Sequence, residues 1–142
     1  MGEWQRPEWV ELMLDELETW AVVGLSGDPH RTACSIARLL QQRGKRIVPI
    51  HPRFADEPDA EVLGERGYAT LAEVPFPVDV VDVFRRSEAA GEFADQAVAI
   101  GAKAVWFQLG VVDEQAFERT TAAGVAMVMD TCPAIEWRRR AA

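Results

Sequence analysis

Cysteine is scarce in this chain: two residues in 142, Cys34 and Cys132. Two cysteines cannot build a disulfide framework, and no C-x-x-C pair is present. Histidine is equally scarce. His30 and His51 lack an i, i+4 partner, which argues against a structural zinc site. Positive charge is also short, with 15 Lys and Arg against 23 Asp and Glu, a net charge of −8. That balance is the reverse of a nucleic-acid surface, which carries a basic stripe. Long apolar runs are missing too: none approaches the ~20 residues of a membrane span, and none at the N-terminus resembles a signal peptide. The expectation is a cytoplasmic protein with no nucleic-acid or membrane partner. With 49% hydrophobic residues, the chain fits one domain over 1–142, built on one core.

What is present is an alternation. Pro7 opens a helical pattern over 7–19, with Trp9, Leu12, Met13, Leu17 and Trp20 on an apolar stripe between acidic residues. The stripe reads as packing on the sheet, with a homodimer contact through Trp9 and Trp20 as the alternative. A short apolar strand (20–24) follows, then a small-residue turn on Gly24, Ser26 and Gly27, and a helix over 31–43 closed by Gly44. Arg46–Ile50 is the second strand, where Pro49 must forgo one hydrogen bond or make the ladder slip. Residues 54–66 read as a loop with a short helical piece, and Gly67-Tyr68-Ala69 as a brief edge strand.

Asp79–Phe84 is a rich β run. Ser87 caps a helix to about Ile100, Ala104–Phe107 is a strand, Asp113 caps a helix to about Ala123, and Val125–Met129 is the last strand. Strands alternating with helices of ten to fourteen residues predict an α/β, doubly wound parallel sheet of the Rossmann type. It has five main strands plus the short edge strand, in the order 3-2-1-4-5-6, and an extra N-terminal amphipathic helix. The Arg138-Arg139-Arg140 run reads as a solvated tail.

A parallel sheet puts all carboxyl ends on one rim, with the ligand crevice at the switch point between strand one and the Asp79–Val83 strand. The rim loops are Gly24–Arg31, His51-Pro52-Arg53, Phe84-Arg85-Arg86, Gln108-Leu109-Gly110 and Asp130-Thr131-Cys132. Strand, glycine turn and helix N-terminus together suit phosphate, and Arg31 and Thr32 add a charged and a hydroxyl donor. Guanidinium forks match phosphate oxygens, so Arg53, Arg85 and Arg86 are further candidates. Phe84 suits an adenine slot or a core position.

Several signatures are missing here as well. The turn Gly24-Leu25-Ser26-Gly27-Asp28-Pro29 is not G-x-G-x-x-G, and His51 stands where an NAD site places an acid. Ser26 lacks the G-x-S-x-G elbow. Asp79 and Asp82, three apart on one strand, face opposite ways and cannot act as a carboxylate pair. Cys132 reads as a buried inert thiol, with a reactive one as the alternative, and Asp130 stands without an evident companion.

Val22-Val23-Gly24-Leu25-Ser26 with Pro29-His30-Arg31-Thr32, His51-Pro52-Arg53, Val81-Asp82-Val83-Phe84-Arg85, Trp106-Phe107-Gln108-Leu109-Gly110 and Asp130-Thr131-Cys132-Pro133-Ala134-Ile135-Glu136 make five ordered motifs. Together they resemble the small stand-alone CoA-binding proteins, which are similar to the N-terminal CoA-binding domain of the succinyl-CoA synthetase α subunit. The resemblance covers about residues 15–137. It implies coenzyme A or an acyl-CoA as ligand, and it supports Gly24, Ser26, Arg31, Pro52, Phe84, Arg85, Gln108 and Gly110 as binding residues.

Three positions depart from the family: His51 for Asn, Thr32-Ala33-Cys34 where Ser-Tyr often follows the loop arginine, and Thr131 for the Arg of Asp-Arg-Cys-Pro. The synthetases carry their phosphorylated histidine on a second domain, for which this chain has no room. The resemblance therefore implies binding without ligase chemistry, with a separate acyl-CoA enzyme as a possible partner. An acyl-CoA enzyme using Cys132 or Asp130, and an NAD(P) oxidoreductase, are the alternatives.

Overall fold

The structure is a computed structural model that describes residues 2–141. After a 3₁₀ turn at Gly2–Gln5, helix α1 spans Pro7–Glu11 and runs on as a wider π turn over Leu12–Glu16. The helical segment thus ends three residues before the predicted limit. Val10, Met13, Leu14 and Leu17 are its buried face. Strand β1 is Thr19–Val23, so Trp20 sits in the sheet and not on the helix. Its indole is fully buried, packs at a tilt against Trp106 with ring centroids 5.8 Å apart and donates from Nε1 to the Leu17 carbonyl at 3.0 Å. Trp20 therefore offers nothing to a second subunit. Trp9 packs on Phe117 at 6.3 Å.

The remaining elements are helix α2 (Thr32–Gln42), β2 (Arg46–Ile50), β3 (Glu61–Val62), β4 (Glu65–Arg66), β5 (Val80–Val83), α3 (Ser87–Ala99), β6 (Ala104–Phe107), α4 (Glu114–Ala122), β7 (Ala126–Val128) and α5 (Pro133–Ala141). The main sheet is parallel throughout, in the order β2-β1-β5-β6-β7. This is the predicted order without its outermost member. The predicted third strand contributes one parallel bridge, Tyr68 to Ile50.

Proline explains why the ladder stops there. Tyr68 N–H donates to Pro49 O at 2.9 Å, and His51 N–H donates to Tyr68 O at 3.1 Å. The next rung would need a Pro49 N–H, which does not exist. Since Pro49 turns its missing donor away from β1, the register of β1 with β2 runs unbroken through Val22–Pro49. Between residues 54 and 66 the chain forms a two-stranded antiparallel hairpin, β3–β4, in place of the expected loop. Leu63 (φ +53°) and Gly64 (φ +82°) turn it, the pair of positive φ values that a tight hairpin demands.

Both faces of the sheet are covered, as parallel sheets require. Trp20, Val22, Ile47, Val80, Trp106 and Val128 pack on one side with α2 and residues of α1 and α5. Ala21, Val23, Val48, Val81, Val105, Phe107 and Met127 pack on the other, under α3 and α4. On α3, Ala90, Ala94 and Ala97 pack in the core with the strands, while Gly91 faces α4, where a Cβ would lie 2.7 Å from Asp113 Oδ2 and 3.6 Å from Ala116 Cβ. No helix among the described residues is long and apolar enough to cross a membrane.

Candidate functional site

The carboxyl ends of β1, β5 and β6 open on one cleft of about 660 Å³, closed on its other side by α2, α5 and the segment after β7. Its centre is the switch point between β1 and β5, where connections leave the sheet in opposite directions. Gly24 forms the floor. Its φ is +103°, and a Cβ there would lie 2.9 Å from Phe84 O and 3.2 Å from Phe84 Cβ. Glycine is what allows the ends of β1 and β5 to come together. Behind it, α2 starts at Thr32 with no side chain capping its first turn, and Thr32 and Ala33 line the cleft. An uncapped helix start aims backbone donors and a positive dipole end into the opening.

Charge in the cleft is one-sided. Arg31, Arg85, Arg86 and Arg138 line it, and no Asp or Glu among the described residues does, although the whole chain is at −8. Arg31 reaches Asp28 only at 3.9 Å, and Arg86 reaches Glu88 only at 3.6 Å; both pairs are exposed and weak. Arg85 stacks over Phe93 at 5.6 Å, and neither it nor Arg138 has a carboxylate partner among the described residues. His51 senses this field from the adjacent loop. Burial first, and then the charges of Arg53, Arg85 and Arg31, hold its pKa below the usual imidazole value. The neutral ring accepts the Arg53 N–H at Nδ1, 3.1 Å away.

The rest of the lining is apolar: Ala33, Phe84, Leu109, Val111 and Ile135. Gln108 stands among them at 6% exposure, its Oε1 buried without a hydrogen-bond donor.

Of the residues singled out from the sequence, Gly24, Arg31, Thr32, Phe84, Arg85, Gln108 and Gly110 come together around this cleft. Ser26, Gly27, Pro52 and Arg53 are not among its lining residues. They build the loop beside it. Ser26 Oγ accepts from the Asp28 N–H at 3.4 Å, and Arg53 donates from Nη1 to the Ser26 carbonyl while its Nε pairs with Glu57 at 3.0 Å. Gly27 (φ +101°) packs against Val62 of the hairpin, and Pro52 starts a 3₁₀ turn capped by His51.

Three features were beyond the sequence reading. The arginine run is exposed, as a solvated run would be, but it is helical: it lies on α5, where Arg138 lines the cleft, Arg139 bonds Glu136 at 3.0 Å and Arg140 forms a two-pronged pair with Asp15 at 2.7 and 2.8 Å. A helix of nine residues with buried Trp137 was the available signal. Ser87 does not cap α3. Its hydroxyl accepts from Val112 N–H at 3.0 Å and donates to Gly110 O at 3.3 Å. Asp130, at φ +61°, is not without a companion, since its Oδ1 accepts from Gly110 N–H at 2.8 Å. Ser87 and Asp130 thereby hold the 108–112 segment from two sides. Cys132 lines the cleft and is 8% exposed.

Comparison with known proteins agrees with this fold. The chain is 34% identical over 130 residues to the uncharacterized protein YneT of Bacillus subtilis (strain 168), covering 90% of this chain and 93% of that one. A hypothetical protein from Pyrococcus horikoshii OT3 superposes with a TM-score of 0.83 at 30% identity, over 93% of this chain and 89% of that one. A protein from Thermus thermophilus superposes equally well, at a TM-score of 0.83 and 32% identity, over 93% and 96% of the two chains. The family model described as CoA binding domain matches residues 18–138, a span that begins just before β1 and ends on α5 with Arg138, so that it takes in every residue lining the cleft. By that match the chain belongs to the CoA-binding domain family.

Proposed function

We propose that the cleft binds coenzyme A or an acyl-CoA, and that binding is its function, without ligase chemistry. The observation that carries this reading is the lining of four arginines and, among the described residues, no carboxylate in a protein of net charge −8. A cleft of that sign attracts a polyanion, and guanidinium groups pair with phosphate oxygens in two-pronged hydrogen bonds. CoA carries a diphosphate and a 3′-phosphate. The open start of α2 over Gly24 suits the diphosphate, with Arg31 and Thr32 beside it. The apolar lining, including Phe84, suits the adenine ring and the arm of the ligand. Gly24, Thr32, Phe84, Arg85, Gln108 and Gly110 would touch it, while Ser26, Gly27, Pro52 and Arg53 would shape the loop that holds it.

The test is a thermal shift of the purified protein against CoA, acetyl-CoA, ADP and NAD. At ~100 times its dissociation constant a ligand adds about 2.7 kcal/mol, a shift of several degrees for a domain of this size. The expected result is a shift with CoA or acetyl-CoA that Arg31→Ala reduces. A shift with NAD alone would contradict the proposal, and so would silence from CoA and acetyl-CoA at saturating concentration.

A further inference from the structure

Helix α5 presents one stripe to the cleft. Cys132, Ile135 and Arg138 stand three residues apart, the spacing that keeps side chains on one helix face, and all three line the opening. The helical spacing already includes Cys132, since Glu136 N–H donates to its carbonyl at 3.0 Å. The stripe changes character along its length. It is apolar where it leaves the strand ends, at Cys132 and Ile135, and cationic at the exposed Arg138, about 9 Å further along the axis than Cys132. The residues beside Arg138 fix the rotation of the helix. Trp137 is buried with the Arg43 guanidinium 4.8 Å from its ring centroid. Glu136 is buried and accepts from the Thr131 hydroxyl and from Arg139, while Arg140 is held by Asp15. Arg138 is the member of the run left facing the cleft.

Arg138 also differs from the other arginines of the lining. Arg31 faces Asp28, Arg86 faces Glu88, and Arg85 lies over the Phe93 ring. Arg138 has no hydrogen bond, ion pair or ring contact among the described residues. Water solvates such a group, yet a fourth guanidinium adds to the mutual repulsion of a lining that holds no carboxylate among the described residues. An anion beside Arg138 relieves that repulsion. A diphosphate over the start of α2 does not account for it, because Arg138 lies a turn and a half along a different helix. The group that fits is a second anion on the same ligand, reached across an apolar stretch. A ligand of the CoA type offers two such groups: the 3′-phosphate beside its adenosine, and a carboxylate at the far end of an acyl chain.

We infer that Arg138 is a specificity-determining residue of the cleft, binding an anionic group of the ligand separate from the diphosphate. The inference rests on the CoA reading of the cleft. A guanidinium stays charged throughout the working pH range, so the contact selects by ligand charge and not by pH. Because Arg138 is exposed, its contribution is modest and salt screens it.

The test is titration calorimetry on the full chain with two pairs of ligands, each pair differing by one anionic group. The pairs are CoA with dephospho-CoA, and malonyl-CoA with acetoacetyl-CoA, whose methyl ketone replaces the carboxylate. Arg138→Gln should weaken the ligands that carry the recognised group by about five-fold and leave the one or more that lack it unchanged. A loss for CoA, malonyl-CoA and acetoacetyl-CoA that spares dephospho-CoA assigns Arg138 to the 3′-phosphate. A loss confined to malonyl-CoA assigns it to the acyl carboxylate. Arg138→Lys keeps the charge and should retain most of the affinity, and added salt should shrink the selective loss. Arg139→Gln removes the same charge from the same helix outside the lining, and should show no selective loss. An equal loss for all four ligands, no loss for any, or the same selective pattern in Arg139→Gln would overturn the inference. In those cases binding of CoA by the wild type leaves the cleft reading standing. A wild type that binds none of the four removes both.

Discussion

Asp82 sits in the middle strand of the sheet, paired with Val22 of β1 and Trp106 of β6, with 0% exposure and no hydrogen-bond partner for either carboxyl oxygen. Burial pushes its pKa well above the ordinary value of 3.8. A carboxyl raised on folding reverses the usual acid behaviour. Below 3.8 it is protonated in both states and costs nothing extra. As pH rises above that value the unfolded chain releases the proton while the folded chain keeps it. Stability then falls by about 1.4 kcal/mol per pH unit, until the folded group ionises as well. Asp82→Asn removes the titration and retains the shape. Urea unfolding of both proteins, at half-unit steps from pH 4 to pH 8, should give wild-type stability falling relative to the variant by about 1.4 kcal/mol per unit. The pH at which the difference levels off reads the folded pKa directly. Two curves that run parallel from pH 4 upward would refute the reasoning, because they would mean that Asp82 ionises alike in both states.

Other perturbations test the parts of the site separately. Gly24→Ala places a Cβ 2.9 Å from Phe84 O at a φ of +103°, and calorimetry should show a loss on the order of 2 kcal/mol. Asp130→Ala frees the Gly110 N–H from its 2.8 Å bond to a carboxylate; a loss of about 1.5–3 kcal/mol is expected in urea unfolding, together with faster amide exchange at Gly110. His51→Asn keeps an acceptor for the Arg53 N–H. Because the folded histidine has a lowered pKa, wild-type stability declines as pH falls below 6.5, and the variant should lack that decline in acid unfolding curves. Arg85→Ala removes a cleft guanidinium without an ion-pair partner among the described residues, and titration calorimetry should show CoA affinity weakened by about ten- to a hundred-fold.

The alternation of apolar strands with glycine-terminated helices made the sheet legible, because a parallel sheet buried on both faces leaves little freedom in strand order. The motifs at strand ends placed seven candidate residues on one cleft for the same reason: parallel strands end on one side. What the pattern could not carry was long-range. Whether Gly67-Tyr68-Ala69 becomes a strand is decided by one absent N–H at Pro49, across the edge of the sheet. Ser87 resembles a cap in sequence, yet its hydroxyl is used 23 and 25 residues away, at Gly110 and Val112. Arg138 looked like part of a charged tail because its neighbours Arg139 and Arg140 face Glu136 and Asp15, and only a helix turns one of the three toward the cleft.

Amide chemical-shift mapping with CoA tests the central claim most directly. Saturating CoA should move the amides of Gly24, Thr32, Ala33, Arg85 and Gly110 together, and leave those of the β3–β4 hairpin tip and of α4 unchanged. If CoA binds while those five stay in place, the site lies elsewhere, and the arginine-lined cleft is not the CoA site.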